Sequence, residues 1–347
     1  KLMFADGECE RAWMNNLADS IADTISFGIG RKNRDADAPT DHELFSDPAW
    51  DILPTKGGVR QRMFDKARSQ LGTVGSGNHY VDVFVDEQGR VWVGVHFGSR
   101  GFGHGIASGA MARSEGLGWG DRVKEVEGLV SLDSELGQEY WALMTLAQKY
   151  ASVGREWVAQ RVVDLLGAEG RDIVNVHHNF GFKETHYGEE LIVVRKGATP
   201  AFPGQRCFVG GSMGDCAVIL RGADTDGISF NNPDFSREEV QELQRAALFS
   251  TVHGAGRVMS RTAAAGKRDR KTGAQKSPGL VKQEDMSAWL ERVGVVLRGG
   301  GLDESPQAYR RLPEVLAAQG PTIEVLHTLK PLVVVMAGAD TEDPWRD

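Results

Sequence analysis

The apolar residues of this chain change their spacing several times along its 347 residues, from the three- to four-residue repeat of helices to the alternation of strands. Helices are predicted at 10–28, 60–70, 134–167, 235–249 and 282–292. Strands are predicted at 172–177, 190–195, 216–221, near 293–298 and at 332–336, with a hairpin at 81–85 and 91–95. Because these elements follow no regular order, we expect an α+β fold, one large domain over 1–347 with helical excursions, rather than a βαβ array.

Two stretches are predicted to be loops. Residues 33–56 are rich in Asp, Pro and Lys and indicate a surface loop. Residues 266–273 form a basic stretch bounded by glycines. This second loop either adds affinity for nucleic acid that is independent of base sequence, or is simply a solvated surface loop.

Charge and cysteine content narrow the class of protein. The net charge of -8 argues against broad, non-specific binding to nucleic acid, although a local basic site stays open. Three scattered cysteines do not make a disulfide framework, so we expect a reducing, cytoplasmic setting. There is no apolar run of about 18 residues and no signal segment, so no membrane span is predicted. The chain opens with Lys1 rather than Met, and we expect a segment upstream of it.

Four histidines stand where a strand-like run meets a glycine-rich or polar turn: His79, His96, His178 and His253. Loops held by strands often carry ligating and catalytic side chains, and glycine leaves backbone amides free to approach a phosphate. Neutral imidazole is a common ligand of divalent transition metals. The residues alone therefore leave two interpretations open: an enzyme that binds metal or phosphate, or histidines that are hydrogen-bonded parts of the structure.

The same glycine-rich segments carry cations that are suited to phosphate. Guanidinium groups bind phosphate in a bidentate manner, whereas the alternative for each is a solvated surface position. The segment 210–214 resembles a backbone cradle, but it lacks the Lys-Ser/Thr ending of a P-loop. The cations in question are Arg100, Arg195, Lys196, Arg257 and Arg261.

Taken together, the motifs of this chain resemble the successive signatures of the RtcB family of RNA-splicing ligases. The resemblance covers nearly the whole chain, and six motifs in one order are specific although each alone is weak. The motifs are Leu71-Gly72-Thr73-Val74-Gly75-Ser76-Gly77-Asn78-His79, Val95-His96-Phe97-Gly98-Ser99-Arg100-Gly101, His178-Asn179, Arg195-Lys196-Gly197-Ala198, Gly211-Ser212-Met213-Gly214 and His253-Gly254-Ala255-Gly256-Arg257.

The resemblance implies an RNA ligase of α+β fold with two manganese ions. It implies that RNA ending in a 3′-phosphate or 2′,3′-cyclic phosphate is joined to RNA with a 5′-hydroxyl, at the expense of GTP. The reaction passes through guanylate held on a histidine. The partners implied are these RNA ends and GTP, and the need for an activating protein, the RNA substrate and the oligomeric state stay open.

The resemblance also assigns residues. His253 matches the histidine that accepts guanylate, His79 the ligand of one metal, and His96 and His178 the ligands of the other. Arg100 and Arg261 are expected to hold RNA phosphates. The positions that match guanylate binding are Asn78, His79, Tyr80, Val81, Asp82, His178, Asn179, Gly210, Gly211, Ser212, Met213, His253, Gly254, Ala255 and Gly256.

The chain departs from the family pattern in one missing element and at four positions, of which Gly210 stands where Pro is frequent and Ala217 where a hydroxyl-bearing residue is frequent. The Asp-x-x-Cys-Gly element, which supplies two more metal ligands, is expected upstream of Lys1; the segment 6–9 has similar residue types in different surroundings. Asp82 stands where Glu is frequent, and Met336 where a lysine contacts guanine. Guanine specificity is therefore less firmly implied than guanylylation. Two other functions remain alternatives: a metal-dependent phosphoesterase that uses the same histidines, and an RNA-binding protein that has lost catalysis.

Overall fold

A computed structural model describes residues 7–34, 36, 38–123, 130–170, 172–228, 230–268 and 275–338. The α-helices are α1 (Gly7–Thr24), α2 (Val59–Gln70), α3 (Arg100–Ser114), α4 (Glu135–Leu165), α5 (Arg237–Ala246), α6 (Arg261–Ala265), α7 (Gln283–Val293) and α8 (Leu312–Gln319). The strands are β1 (Tyr80–Asp86), β2 (Val91–His96), β3 (Asn179–His186), β4 (Glu189–Lys196), β5 (Ala198–Pro200), β6 (Arg206–Val209), β7 (Ala217–Gly222), β8 (Ser250–Val252), β9 (Lys267–Arg268), β10 (Gln275–Ser277), β11 (Val296–Gly300) and β12 (Ile323–Gly338).

The centre of the molecule is a six-stranded sheet in the order β2-β1-β12-β7-β6, with β11 paired to β12. The long strand β12 pairs antiparallel with β7 through its first half and with β1 through its second half, whereas β11 runs parallel to it. Pro331 lies beside a register shift, where the strand lacks one ladder donor. Strands and helices are mixed as an α+β fold requires, so the predicted fold class is confirmed.

The two faces of the sheet have different surroundings: one packs against the hydrophobic core and the other faces a cavity. Val81 and Val83 of β1 and Val333 of β12 are fully buried against α1 and α4, in one hydrophobic core. Because side chains alternate along a strand, Tyr80 and Asp82 point to the opposite face. That face is the floor of the cavity described below.

Local sequence signals account for the helices that were predicted. The helix predicted at 10–28 is α1, and its apolar stripe buries Leu17 and Ile21. The helix α5 begins after a capping box in which Ser236 and Glu239 exchange hydrogen bonds with backbone. The predicted hairpin is also present, with β1 and β2 antiparallel around the turn at 86–90. No described helix is both long and apolar enough to span a bilayer.

Two predictions require correction. Residues 172–177 form no strand; they are irregular and pair with no described strand, and the paired strand β3 begins at Asn179. The stretch 33–56 is not merely a surface loop, because its short 3-10 helices bury Leu44 and Trp50 in a core against α3 and α4. Helix α3 was not predicted. The basic stretch at 266–273 lies largely outside the described residues.

Candidate active site

Four histidines from separate parts of the chain meet beside one end of the sheet. His79 directly precedes β1, His96 ends β2, His178 directly precedes β3 and His253 directly follows β8. The ring centroids of His96 and His178 are 4.7 Å apart, and those of His178 and His253 are 4.8 Å apart. His79 lies 6.0 Å from His96, measured in the same way. The fold therefore gathers the four residues into one cluster of imidazoles.

Burial keeps these imidazoles neutral. Removal from water, with Arg100 and His178 as nearby charges, lowers the pKa of His79 to about 3. Burial, reinforced by His253, lowers the pKa of His178 to about 4, and burial places the pKa of His96 well below its usual value. Burial also lowers the pKa of His253, against a hydrogen bond with the backbone of Gly197. Each ring is thus available at neutral pH as a metal ligand or a nucleophile.

A cavity of about 210 Å³ opens beside the cluster. Its floor is the sheet face that carries Tyr80 and Asp82, and its walls are the segments 210–213 and 253–256. These two segments are held together, because the amide of Ala255 donates to the carbonyl of Gly210 at 3.1 Å. Glycine and alanine make up five of the eight residues in these walls, which suits close approach of a phosphate to the backbone.

Most residues that were assigned to guanylate line this cavity, but some do not. The side chain of Val81 lies in the core on the other face of the sheet. Asn179 is exposed at the start of β3, where it pairs with Lys196, and it is not part of the cavity wall. The assigned residues that do line the cavity are Asn78, Tyr80, Asp82, Gly210, Gly211, Ser212, Met213, His253, Gly254, Ala255 and Gly256.

The two arginines expected to hold RNA phosphates are both engaged by protein groups. Arg100 donates to the hydroxyl of Thr73 at 3.0 Å and to the carbonyl of Gly28 at 2.6 Å. Arg261 forms ion pairs with Asp303 at 3.0 Å and with Glu304. Binding of phosphate by Arg261 would thus require it to exchange carboxylate partners, whereas the hydrogen-bond partners of Arg100 in the described part of the chain are neutral.

Arg195 and Arg257 have different surroundings. Arg195 is 2% exposed and forms a bidentate pair with Glu184, so it is a structural cation and not a phosphate ligand. Arg257 lines the cavity, and its Nη2 is buried without a hydrogen-bond partner. Among the cations that the sequence singled out, Arg257 therefore has the most evident unused donor beside the cavity.

Glu304 and Tyr309 also line the cavity, and the motifs did not assign either a role. The Tyr309 hydroxyl donates to Glu304, which is only 4% exposed, and Arg257 donates to the same hydroxyl at 3.0 Å. Glu304 ends a short 3-10 helix after a run of glycines, a context with no catalytic signature of its own. Only the packing of that turn against the cavity reveals the residue.

The donor atoms of the cluster match a divalent metal in kind. His79 Nδ1 and Asp82 Oδ1 are buried and have no hydrogen-bond partner among the described residues, which is costly for polar atoms unless a ligand satisfies them. Among the residues the structure describes, however, no three His, Cys, Asp or Glu side chains already converge on one point as metal ligands do. The three imidazoles therefore fit part of a metal site, and a site for two ions requires further donors.

Acid is expected to destabilise the fold through these histidines. Burial, with Arg155 and His178 nearby, lowers the pKa of His177 to about 4, as it does for His178 next to it. Since the unfolded rings bind protons near pH 6.5, the unfolded state holds more protons between about pH 6.5 and 4. The free energy of unfolding should therefore fall with decreasing pH, by about 1.4 kcal/mol per pH unit for each neutral ring. Burial raises the pKa of Asp82, so the folded state holds a proton there that the unfolded state lacks, and this offsets the contribution of one histidine to the pH dependence.

Urea unfolding at pH 7 and about pH 5.5 measures this dependence. In His177→Gln the substituted side chain is uncharged at both pH values. The free energy of unfolding of this variant should therefore depend less steeply on pH than that of the unchanged chain, by the contribution of one histidine. Stability that is flat or rises on acidification would contradict neutral, buried histidines.

A second prediction concerns the contact between Tyr80 and Gly210. Any Cβ at Gly210 would overlap the Tyr80 hydroxyl, whereas the next nearest atom, Tyr80 Cζ, would lie 3.5 Å away. Gly210→Ala should therefore cost about 1–3 kcal/mol of stability through overpacking. Tyr80→Phe removes only the hydroxyl, so the double variant should recover most of the loss. A double-mutant cycle from urea unfolding measures this coupling, and additive losses would exclude it.

Comparison with known proteins supplies the relatives of the chain. Residues 31–337 match the family model described as tRNA-splicing ligase RtcB. The RNA-splicing ligase RtcB of Escherichia coli strain K12 is 32% identical over 283 residues, which cover 76% of this chain and 60% of that protein. The tRNA-splicing ligase RtcB of Archaeoglobus fulgidus is 30% identical over 308 residues, which cover 74% of this chain and 57% of that protein. The chain thus spans about 60% of the Escherichia coli relative's length.

Proposed function

The chain belongs to the RtcB family of tRNA-splicing ligases, and we propose that it is a GTP- and manganese-dependent RNA ligase. It joins RNA ending in a 3′-phosphate or 2′,3′-cyclic phosphate to RNA with a 5′-hydroxyl, through guanylate carried on His253. The observation that carries the proposal is the position of His253. This residue is a neutral imidazole at the wall of a backbone-lined cavity, 4.8 Å from the ring of His178.

The first step is attack by an imidazole nitrogen of His253 on the α-phosphorus of GTP. The N–P bond forms, the bond to the bridging oxygen breaks, and pyrophosphate leaves with the electron pair. The His253 ring interacts with the backbone of Gly197, and its unprotonated ring nitrogen is the one that attacks. Gly254 and Gly256 lie in the cavity wall, where their backbone amides would oppose the developing negative charge.

Two further transfers complete the reaction. An oxygen of the RNA 3′-phosphate attacks the guanylate phosphorus, the N–P bond breaks, and neutral His253 is restored. The RNA end then carries an activated diphosphate, in which guanylate is a good leaving group. The 5′-hydroxyl of the second RNA attacks the RNA phosphorus, loses its proton and expels guanylate, so that one phosphodiester is formed. A cyclic phosphate must be opened by water before this sequence begins.

Metal and base specificity are part of the same proposal. We assign His79, His96 and His178 as ligands of manganese, which would neutralise charge on the phosphoryl oxygens. The unpartnered carboxyl of Asp82 lies in the cavity floor, where as a carboxylate it would accept N–H bonds from the edge of guanine. Met336 lines the same cavity and adds only apolar contact. Cys207 and Cys216 form no disulfide with any residue that the structure describes, which is consistent with the reducing, cytoplasmic setting we propose.

An RNA-joining assay with defined ends tests the proposal. Oligonucleotides with a 3′-phosphate and a 5′-hydroxyl should be joined when both GTP and Mn²⁺ are present. Pairs with a 3′-hydroxyl and a 5′-phosphate should not be joined. Release of inorganic phosphate without joining would instead favour a phosphoesterase, and RNA binding without either product would favour a protein that has lost catalysis.

A further inference from the structure

Arg155 of α4 joins two of the chain segments that carry the histidine cluster. Its Nε and Nη2 both donate to Oδ1 of Asn175, at 3.0 and 2.7 Å. Its Nη1 donates to the carbonyl of Phe97 at 3.3 Å. Phe97 directly follows His96, and Asn175 lies three positions before His178. One guanidinium therefore bonds to the backbone beside one imidazole and to the segment that bears another.

The segment 172–178 needs such a connection, because it has no ladder of its own. It has no regular secondary structure and pairs with no described strand. Asn175 is held from both sides, since its amide nitrogen donates to Glu156 at 2.7 Å while its oxygen accepts from Arg155. His177 adds one more contact with α4, at 3.1 Å from the hydroxyl of Ser152. These contacts with helix α4 are made by side chains. The ends of the segment have two further contacts, because Asp172 pairs with Arg206 of β6 and the carbonyl of His178 accepts from the amide of Gly197 at 3.0 Å.

The charge of Arg155 is balanced indirectly. Among the residues the structure describes, the groups that accept hydrogen bonds from it are an amide, a carbonyl, a hydroxyl and an imidazole. Arg155 is linked to a carboxylate through Asn175, whose amide nitrogen donates to Glu156. Lysine cannot reproduce this arrangement, because a single ammonium group lacks the planar fork that serves two acceptors in different directions.

We infer that Arg155 is a positioning residue that sets the spacing between His96 and His178 by clamping their two segments onto α4. The consequence for metal binding rests on the proposed function, whereas the clamp itself is a property of the chain. Groups that orient ligating histidines typically change metal affinity by about 10–100-fold when removed. Arg155 would act at this level without touching the substrate.

Three variants of the full chain test the inference. Arg155→Met removes the charge and every bond of the clamp, and Arg155→Lys keeps the charge but not the fork. Arg113→Met is the matched control, because Arg113 is an exposed arginine on the neighbouring helix α3. Two quantities are measured: the rate at which diethylpyrocarbonate modifies each histidine in metal-free protein, resolved by mass spectrometry, and the affinity for Mn²⁺ from equilibrium dialysis.

Arg155→Met should speed modification of His177 and His178 several-fold, while exposed His104 reacts at an unchanged rate. It should also weaken Mn²⁺ binding by about 10–100-fold. For Arg155→Lys, both the modification rates and the Mn²⁺ affinity should lie between those of the unchanged chain and those of Arg155→Met. This milder variant decides the question if Arg155→Met does not fold. Unchanged modification rates in Arg155→Lys and in any folded Arg155→Met would overturn the clamp. If the unchanged chain binds no Mn²⁺ but the modification rates still rise, the clamp stands and the proposed metal site fails.

Discussion

His253→Ala is expected to abolish retention of label when the protein is incubated with Mn²⁺ and GTP labelled at the α-phosphate. The imidazole nitrogen is the only atom that the proposed mechanism bonds to guanylate, so no other group replaces it. The expected loss is on the order of 10³-fold or more, as for removal of other covalent nucleophiles. Acid-labile, alkali-stable label on the unchanged chain would identify a phosphoramidate.

His104→Ala is the matched control for this experiment. His104 is exposed on α3, and its removal should leave labelling unchanged. Circular dichroism and thermal unfolding of both variants separate loss of the nucleophile from loss of the fold. Undiminished label on His253→Ala would refute the assignment of the nucleophile, whereas absence of label on the unchanged chain would count against guanylylation altogether.

The elements that the sequence predicted are those whose own residues determine them. Helix α4 carries Leu143, Leu146 and Val158 at helical spacing, and all three are buried. The alternation around Val81 and Val83 likewise predicted β1. The meeting of the four histidines was one of two interpretations that their positions left open, and the family resemblance decided between them. His79 and His96 flank neighbouring strands of the central sheet, whereas His178 and His253 adjoin two separate two-stranded sheets. Local periodicity was therefore enough for the helix and the strand, but not for the cluster.

Helix α3 could not be predicted, because its glycines are explained by close packing against residues that are distant in sequence. Glycine lowers helix propensity, and α3 contains Gly101, Gly103, Gly105 and Gly109. A Cβ at Gly105 would meet Met63 Sδ at 2.7 Å, and one at Gly109 would collide with the Trp119 ring. The glycines thus permit close packing rather than a loop. Tertiary contact outweighs local propensity here.

The wrong strand at 172–177 has a similar origin. Ile173, Val174 and Val176 make the segment strand-like, but Ile173 is 73% exposed, and the side chains of Asn175 and His177 bond to helix α4 rather than to a strand. The spacing of apolar residues within a segment does not determine which distant side chains it contacts in the folded protein. The same holds for Arg195, whose glycine-rich neighbourhood indicated phosphate binding although its partner, Glu184, lies across the β3–β4 hairpin.

Arg195 holds together the turn that leads to His253. Besides its two bonds to Glu184, it donates to the hydroxyl of Ser250 at 2.9 Å and to the carbonyl of Leu248 at 2.8 Å. Leu248 has a φ of 49° and Phe249 one of 48°, both in the left-handed region that non-glycine residues rarely adopt. The turn is therefore stabilised by tertiary bonds, of which Arg195 supplies two, and β8 follows it directly.

Arg195→Met should consequently lower the free energy of unfolding by about 3–5 kcal/mol, because it leaves the Glu184 carboxylate buried without its cation. Urea unfolding near pH 7 measures the loss. Arg206→Met is the matched control: Arg206 and Asp172 form the same bidentate geometry, with both N–O distances 2.6 Å, but their side chains are 40% and 43% exposed. Its loss should not exceed about 1 kcal/mol.

Burial, rather than the number of hydrogen bonds, is what separates these two ion pairs. If that reasoning is right, Glu184→Gln added to Arg195→Met should recover part of the lost stability, because it removes the uncompensated charge. The glutamine amide can still bond to His186, which lies 2.8 Å from Glu184 in the unchanged chain. Equal losses in Arg195→Met and Arg206→Met, or a further loss in the double variant, would show that the charge of Glu184 is not the cause. The strained turn before β8 would then need another source of stability.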